Sequence, residues 1–311
     1  MHISVSLDRC IELLSPAISN SASPVFVDAT LGLGGHSFEM LNRFPNLTLI
    51  GIDRDKAAIE KANARLSQFG NRVHIAHSVF NHFDEVVKSF GFNQIDGALF
   101  DLGVSSMQLD QTARGFSYSQ DAPLDMRMDQ SQGVTAAEIV NGWSHGELAR
   151  ILKVYGEEKF AARIADFIIR EREIAPINST IKLANLVKSA IPAAARRTGG
   201  NPAKRTFQAL RIAVNNELEV IEQALPQALE LLKVGGRLVV LSFQSLEDRI
   251  TKEAFSQVTK STSPKYLPFE LPGHEVKFKL IAKGEAASDL EISENSRAQS
   301  VRIRAVERVA A

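Results

Sequence analysis

Over the first hundred residues, short apolar runs alternate with segments whose apolar residues recur every three or four positions. The runs Val25 to Asp28, Leu47 to Asp53, Val73 to His77 and Ile95 to Asp101 predict strands, each short and apolar enough to be buried on both faces. Between them, Ser37 to Phe44, Asp55 to Phe69 and His82 to Phe90 predict helices. Strands that alternate with helices pair in parallel, because each crossover returns the chain to the same sheet edge. The predicted class is therefore α/β, and this stretch is half of a doubly wound sheet. Ahead of it, Val5, Ile11, Leu13 and Leu14 stand at near-helical spacing and predict a short leading helix ending at Pro16.

After Asp101 the rhythm stops, and the next strand-like run, Arg237 to Phe243, follows Gly235 and Gly236. The interval opens with a Gly- and Asp-rich loop and continues with helical patterns. Ser144 with Glu147 forms a capping box for a helix that Gly156 ends, Thr180 begins another that stops at Pro192, and a third starts near Asn201-Pro202. These predict an inserted helical domain over residues 111–214, with residues 1–110 and 215–311 forming the core. Glu217 to Lys233 returns the chain to the sheet as a helix, and Ser245 to Phe255 makes another. Two alternating runs, Val276 to Ala282 and Val301 to Val309, predict an antiparallel pair at the sheet edge.

Composition narrows the class. The 311 residues contain 44% hydrophobic and 23% charged residues, an ordinary globular balance. Lys plus Arg and Asp plus Glu both number 36, so no net field draws the chain to a polyanion, and nucleic-acid binding requires a local patch. The single cysteine, Cys10, excludes an intramolecular disulfide framework and a multi-thiolate metal site. Met1 to Ser15 has no basic region followed by a long apolar run and reads as mature protein, and no apolar stretch approaches the roughly twenty residues of a bilayer span. A cytoplasmic protein is expected. His74 and His77 have no evident partner ligands, so no metal site is expected.

The chemistry concentrates at the strand ends. Val25 to Asp28 runs into Ala29-Thr-Leu-Gly-Leu-Gly-Gly-His36, where Gly32, Gly34 and Gly35 allow positive φ and close approach of a nucleoside ligand to the backbone. A dinucleotide fingerprint calls for a third glycine where Ser37 stands. The second strand ends in Asp53, about twenty residues on, where a carboxylate can accept hydrogen bonds from both ribose hydroxyls; Asp55 can instead start the following helix. Asp28 at the first strand tip can face a sulfonium or ammonium. A pyrophosphate prefers a helix N-terminus free of acids, whereas a cationic methyl donor tolerates Asp28 and Asp101. The pattern thus favours S-adenosylmethionine over NAD.

Asp101-Leu-Gly-Val-Ser-Ser106 ends the fourth strand at the carboxyl edge, where open α/β sheets bind ligands. This string resembles the ribosomal RNA small subunit methyltransferase H family, as do Thr30-Leu-Gly-Leu-Gly-Gly-His-Ser37, Arg114-Gly-Phe-Ser117, Pro123-Leu-Asp-Met-Arg-Met-Asp129, Tyr155-Gly-Glu-Glu158, Arg205-Thr-Phe-Gln-Ala209 and Ser242-Phe-Gln-Ser-Leu-Glu-Asp-Arg249. The strings lie in order along nearly the whole chain. The resemblance implies a Rossmann-like class I methyltransferase sheet, mostly parallel with an antiparallel C-terminal edge, plus a helical insertion. It implies methylation of N4 of a cytidine in 16S ribosomal RNA of the small subunit. It also implies cofactor contacts at Gly34, Gly35, His36, Asp53, Phe80, Asp101 and Gln108; His36 and Gln108 rest on the resemblance alone. Leu33 stands where the family often has Arg, and Gln244 where it usually has His, a residue that cannot titrate in place of one that can.

Asp101 is the expected catalytic residue, accepting the amine hydrogens and aligning the nitrogen lone pair. Arg196, Arg197, Lys204, Arg205 and Arg211 cluster about the Thr198-Gly-Gly-Asn-Pro202 turn and are the expected RNA contacts, with the first four the chief candidates. The target base must be unpaired or turned out to reach a buried sulfonium. Two other functions share parts of this signature, an NAD-linked Rossmann oxidoreductase and a non-catalytic RNA-binding assembly factor. A homodimer is compatible with the sequence.

Overall fold

The computed structural model describes residues 4–196, 200–261 and 275–311. In chain order the first part contains helix α1 (Leu7–Ser19), strand β1 (Val25–Asp28), α2 (Gly35–Arg43), β2 (Thr48–Asp53), α3 (Lys56–Leu66), β3 (Val73–His77), α4 (Phe83–Ser89) and β4 (Ile95–Asp101). Then come α5 (Ser106–Asp110), α6 (Ala136–Gly142), α7 (His145–Val154), α8 (Ala161–Ile174), α9 (Thr180–Ala190), α10 (Ala193–Arg196) and α11 (Lys204–Asn215). The chain ends with α12 (Glu217–Leu231), β5 (Leu232–Ser242), α13 (Ser245–Val258), β6 (Phe278–Glu285), α14 (Asp289–Glu294) and β7 (Arg302–Arg308). Contacts divide the chain into two units, residues 1–103 with 218–311, and residues 104–217.

The first unit is built on a seven-stranded sheet of order β3-β2-β1-β4-β5-β7-β6. Strands β1 to β5 pair in parallel, and β7 runs antiparallel to both β5 and β6. Alternating side chains supply both faces. Val27, Ile52, Phe100 and Val240 meet Phe83 of α4, Leu225 of α12 and Phe255 of α13. On the other face Phe26, Leu49, Leu99 and Val239 meet Leu14 of α1, Met40 of α2 and Leu66 of α3. This two-sided burial explains why the strands read as near-continuous apolar runs. The order reverses about β1, which has β2 on one side and β4 on the other, and such a reversal opens a crevice beyond the strand ends.

The sequence predicts a stop at Pro16, but helix α1 continues through it to Ser19. Proline removes the hydrogen bond to the carbonyl four residues back, that of Glu12. Glu12 is exposed, so water can serve that carbonyl, while Ala17 and Ile18 beyond the proline are buried and hold the last turn down. Among the described residues no helix is long and apolar enough to cross a membrane.

The second unit has its own core, with Ile139, Leu148, Ile151, Ile164, Leu183, Phe207 and Leu210 among its buried residues. Trp143 and Tyr155 pack partly buried against it. The loop before α6 is held from inside the unit. Buried Asn215 accepts from Met128 N at 2.8 Å and donates to Met126 O at 2.8 Å, and Arg114 donates to Met128 O at 2.7 Å. These bonds hold Met126 at φ 62° with its side chain fully buried, a left-handed conformation uncommon for a residue with a side chain.

Candidate functional site

In the first unit, five parallel strands end at one edge, and the segment from Asp28 to Ser37 is tied to the strands on either side of β1. Ala29 N donates to Leu99 O of β4 at 2.9 Å, and Leu31 N donates to Ile52 O of β2 at 2.9 Å. Asp101 N donates to Thr30 Oγ1 at 2.7 Å, joining the tip of β4 to the same loop. The loop is tightly drawn onto the sheet: a Cβ at Gly51 would stand 2.8 Å from Leu31 Cδ2. Gly34 immediately precedes α2 with φ +70°, a left-handed value that glycine adopts without strain.

Asp53 ends β2 and is half-buried. Its Oδ2 accepts from Gly32 N at 2.7 Å and its Oδ1 from Asp55 N at 2.8 Å. One lone pair on each oxygen thus braces the loop, and a second on each is left for a ribose hydroxyl. The helix-start role belongs to Asp55, whose side chain accepts from Ala57 N at the head of α3. Burial raises the Asp53 carboxyl above the usual range, against the backbone donors from Asp55 and Gly32, which lower it.

Asp28 differs from its expected role facing a cationic ligand. It is 2% exposed; its Oδ2 accepts from Ser37 Oγ at 2.6 Å and its Oδ1 from Thr30 N at 3.3 Å. Ser37, which occupies the place of a third glycine, therefore anchors the start of α2 to the strand tip. Burial, opposed by those donors, pushes the Asp28 carboxyl up to about 6. Its charge acts on the site without direct contact, since Asp28 is among the groups that raise Asp101.

Asp101 occupies the tip of β4 with 28% of its side chain exposed. Among the described residues its carboxylate accepts no hydrogen bond, and the His36 imidazole stands near it, with Nδ1 at 3.8 Å from Oδ2. Burial first, then the nearby carboxylates Asp28 and Glu247, push the Asp101 carboxyl up to about 8. Cys10 of α1 faces the same charges, and burial followed by Asp101 raises its thiol well above the ordinary value.

His36, in the first turn of α2, is buried and places Nε2 3.0 Å from Val5 O. Gly35 lies under the same N-terminal segment, since a Cβ there would stand 2.1 Å from Ser4 Oγ. That segment is anchored at Ser6, whose N donates to Glu291 Oε1 of α14 at 2.5 Å. Phe80, just after β3, is half-buried and meets Phe100 edge-on at 5.5 Å between ring centroids. Ser78 N donates to Asp53 O at 2.9 Å, which keeps the approach to Phe80 beside the tip of β2.

The structure thus brings Gly34, Gly35, His36, Asp53 and Asp101 to one strand edge of the first unit, with Phe80 on the same edge. Gln108 belongs to the second unit, where it closes a capping box: Ser105 Oγ accepts from Gln108 N at 3.3 Å, and Gln108 Oε1 accepts from Ser105 N at 3.1 Å. Sequence reasoning missed Glu247, which is 1% exposed and accepts from Phe243 N at 2.8 Å and from Gln244 Nε2 at 2.9 Å. The Gln244–Glu247 pair is a capping box with glutamine at the cap, a residue outside the usual cap set, so the spacing carried no signal. Nothing in the sequence marks Ser4 or Val5 as part of a site; Val5 reads there only as an apolar helix position.

Of the expected RNA contacts, Arg197 lies outside the described residues. Arg196 ends α10, and exposed Lys204 and Arg205 open α11. Arg205 Nη1 donates to Glu157 O at 2.7 Å. Arg211 forms a two-pronged ion pair with Glu217 at 2.8 and 2.9 Å, which ties up its fork within the unit.

Comparison with known proteins finds named relatives over nearly the whole chain. The ribosomal RNA small subunit methyltransferase H of Salinispora tropica is 56% identical over 312 residues, covering 99% of this chain and 84% of the relative. That of Mycolicibacterium smegmatis is 56% identical over 313 residues, with the same coverage. That of Thermobifida fusca is 51% identical over 308 residues, covering 99% of this chain and 93% of the relative. The sequence model of the MraW methylase family matches residues 1–309, and the chain belongs to that family.

Proposed function

We propose that this chain is an S-adenosylmethionine-dependent methyltransferase that methylates N4 of a cytidine in the 16S ribosomal RNA of the small ribosomal subunit. The observation that carries the reading is the Asp101 carboxyl. It sits at the tip of β4, desolvated and beside other acids, and among the described residues it accepts no hydrogen bond. A group so placed calls for a cation and a hydrogen-bond donor, and the proposed substrates bring one each.

The residues fit the cofactor. The positive φ of Gly34 and the glycine turn admit a nucleoside against the backbone, Asp53 keeps lone pairs for the ribose, and Phe80 offers a partly exposed ring for the adenine. When bound, S-adenosylmethionine supplies an electrophilic methyl group on a positively charged sulfur. Asp101 accepts an amine hydrogen of the cytosine and so directs the nitrogen lone pair, which is otherwise delocalised into the ring. Positioning and a desolvated, pre-oriented charge supply most of the acceleration. Gln108 is proposed as a further cofactor contact on resemblance alone. The names of the relatives support ribosomal RNA as the substrate.

Residues 111–214 are proposed as the RNA substrate domain, with Arg196, Arg197, Lys204 and Arg205 contacting phosphates. Helix α11 opens without a side-chain cap hydrogen bond, and exposed Lys204 and Arg205 in its first turn put positive charge where its N-terminus favours an anion. Two measurements test the function. Calorimetry should show binding of S-adenosylmethionine and its demethylated product and none of NAD. Mass spectrometry of small-subunit RNA should show one N4-methylated cytidine lost when the gene is deleted and regained when it is restored. Unchanged RNA in the deletion strain refutes the proposal.

A further inference from the structure

We propose that His36 is the proton-carrying partner of Asp101, taking up through Nδ1 the proton that Asp101 removes from the methylated amine. The inference rests on the methyltransferase reading and assigns His36 a role beyond contact with the cofactor.

The geometry begins with Val5. A backbone carbonyl only accepts, so Val5 O at 3.0 Å places the ring proton on Nε2 and leaves the lone pair of the neutral imidazole on Nδ1. Nδ1 is the atom that faces Asp101 Oδ2, at 3.8 Å. That separation is longer than a hydrogen bond, and such contacts close when a site fills. The first turn of α2 and the Ser4–Ser6 segment, itself anchored on Glu291, hold the ring in place. Among the described residues, Asp28 on β1 and Glu247 on α13 act on Asp101, and the Cys10 thiol on α1 lies within reach of its charge. The charged groups among these are carboxylates, which favour an added proton on the imidazole.

The step balances as follows. The amine nitrogen pair forms the new N–C bond, the C–S pair returns to sulfur, and the nitrogen is left cationic with a surplus proton. The Asp101 carboxylate takes that proton. The Nδ1 lone pair then forms an N–H bond while the O–H pair stays with Asp101, restoring the carboxylate and leaving the positive charge on the imidazolium. Water receives the proton when the products leave. His36 acts through Asp101 and is a positioning residue.

Two readouts test the pair. In ¹⁵N NMR of the wild-type protein the neutral His36 ring should carry its proton on Nε2, and with bound S-adenosylmethionine, whose positive charge favours the ionised Asp101 carboxylate, Asp101→Asn should move the imidazole titration by about one pH unit or more. A neutral ring protonated on Nδ1, or a titration indifferent to Asp101→Asn, overturns the relay without reference to turnover. The second readout is single-turnover methylation of small subunits from cells lacking the enzyme. His36→Gln keeps a donor for Val5 but cannot titrate. With cofactor saturating, its rate should fall on the order of a hundredfold near neutrality and recover as pH rises. A His36→Gln profile parallel to wild type overturns the relay and leaves the methyltransferase reading standing. A wild-type chain that methylates no small-subunit substrate overturns both.

Discussion

Replacing Asp101 with asparagine should make the protein more stable and nearly inactive. The folded carboxyl holds its proton to about pH 8, while an ordinary carboxyl releases it near 3.8. Between those values the unfolded chain binds fewer protons than the folded one, so the group's contribution to stability becomes steadily less favourable as pH rises. At about 1.4 kcal/mol per pH unit, the penalty at neutral pH is about 4 kcal/mol, and it levels off near 6 kcal/mol above pH 8. Asparagine has the same shape and no charge, so the substitution removes the penalty and leaves the donor from Asp101 N to Thr30 in place. Urea unfolding of both proteins should show the variant ahead by about 2 kcal/mol near pH 5 and by up to about 4 kcal/mol at neutral pH. The same variant should methylate at least a hundredfold more slowly, on the order of what a lost proton acceptor costs. A variant less stable than wild type, or a stability difference that does not grow with pH, would show that Asp101 is not an uncompensated desolvated carboxyl.

Two further outcomes follow from local geometry. Gly34→Ala puts a side chain at φ +70° with its Cβ 3.2 Å from Leu66 Cδ1, and should cost about 1–2 kcal/mol of stability together with at least tenfold in S-adenosylmethionine affinity measured by calorimetry; wild-type affinity would mean that the turn tolerates a side chain. Asn215→Ala leaves Met128 N and Met126 O without their buried partner and should destabilise the chain by about 2–4 kcal/mol in denaturant unfolding, with wild-type cofactor affinity; a loss below 1 kcal/mol would mean that the loop does not depend on that amide.

The strands that carry the site were legible because they are buried on both faces, and such strands read as apolar runs ended by a polar residue. Asp53 and Asp101 could be named from those ends alone, and the glycines between β1 and α2 from the conformations a tight strand-to-helix turn requires. His36 and Gln108 came only with the family strings, since neither residue type nor spacing distinguishes them. What a carboxylate at a strand tip does was not legible. Asp28, Asp53 and Asp101 look alike in the sequence, yet Asp28 is taken up by Ser37, Asp53 is half engaged by the Gly32 and Asp55 amides, and Asp101 is left facing His36. Those differences depend on donors brought from distant parts of the chain. The sequence by itself determined the alternation of strands and helices and the residue types at the crevice, because burial periodicity and turn chemistry are local. Tertiary structure decided which acid accepts no hydrogen bond among the described residues, how far its proton affinity rises and which carbonyl the His36 ring meets, because desolvation and hydrogen-bond partnership depend on segments as far apart as Val5, His36, Asp101 and Glu247.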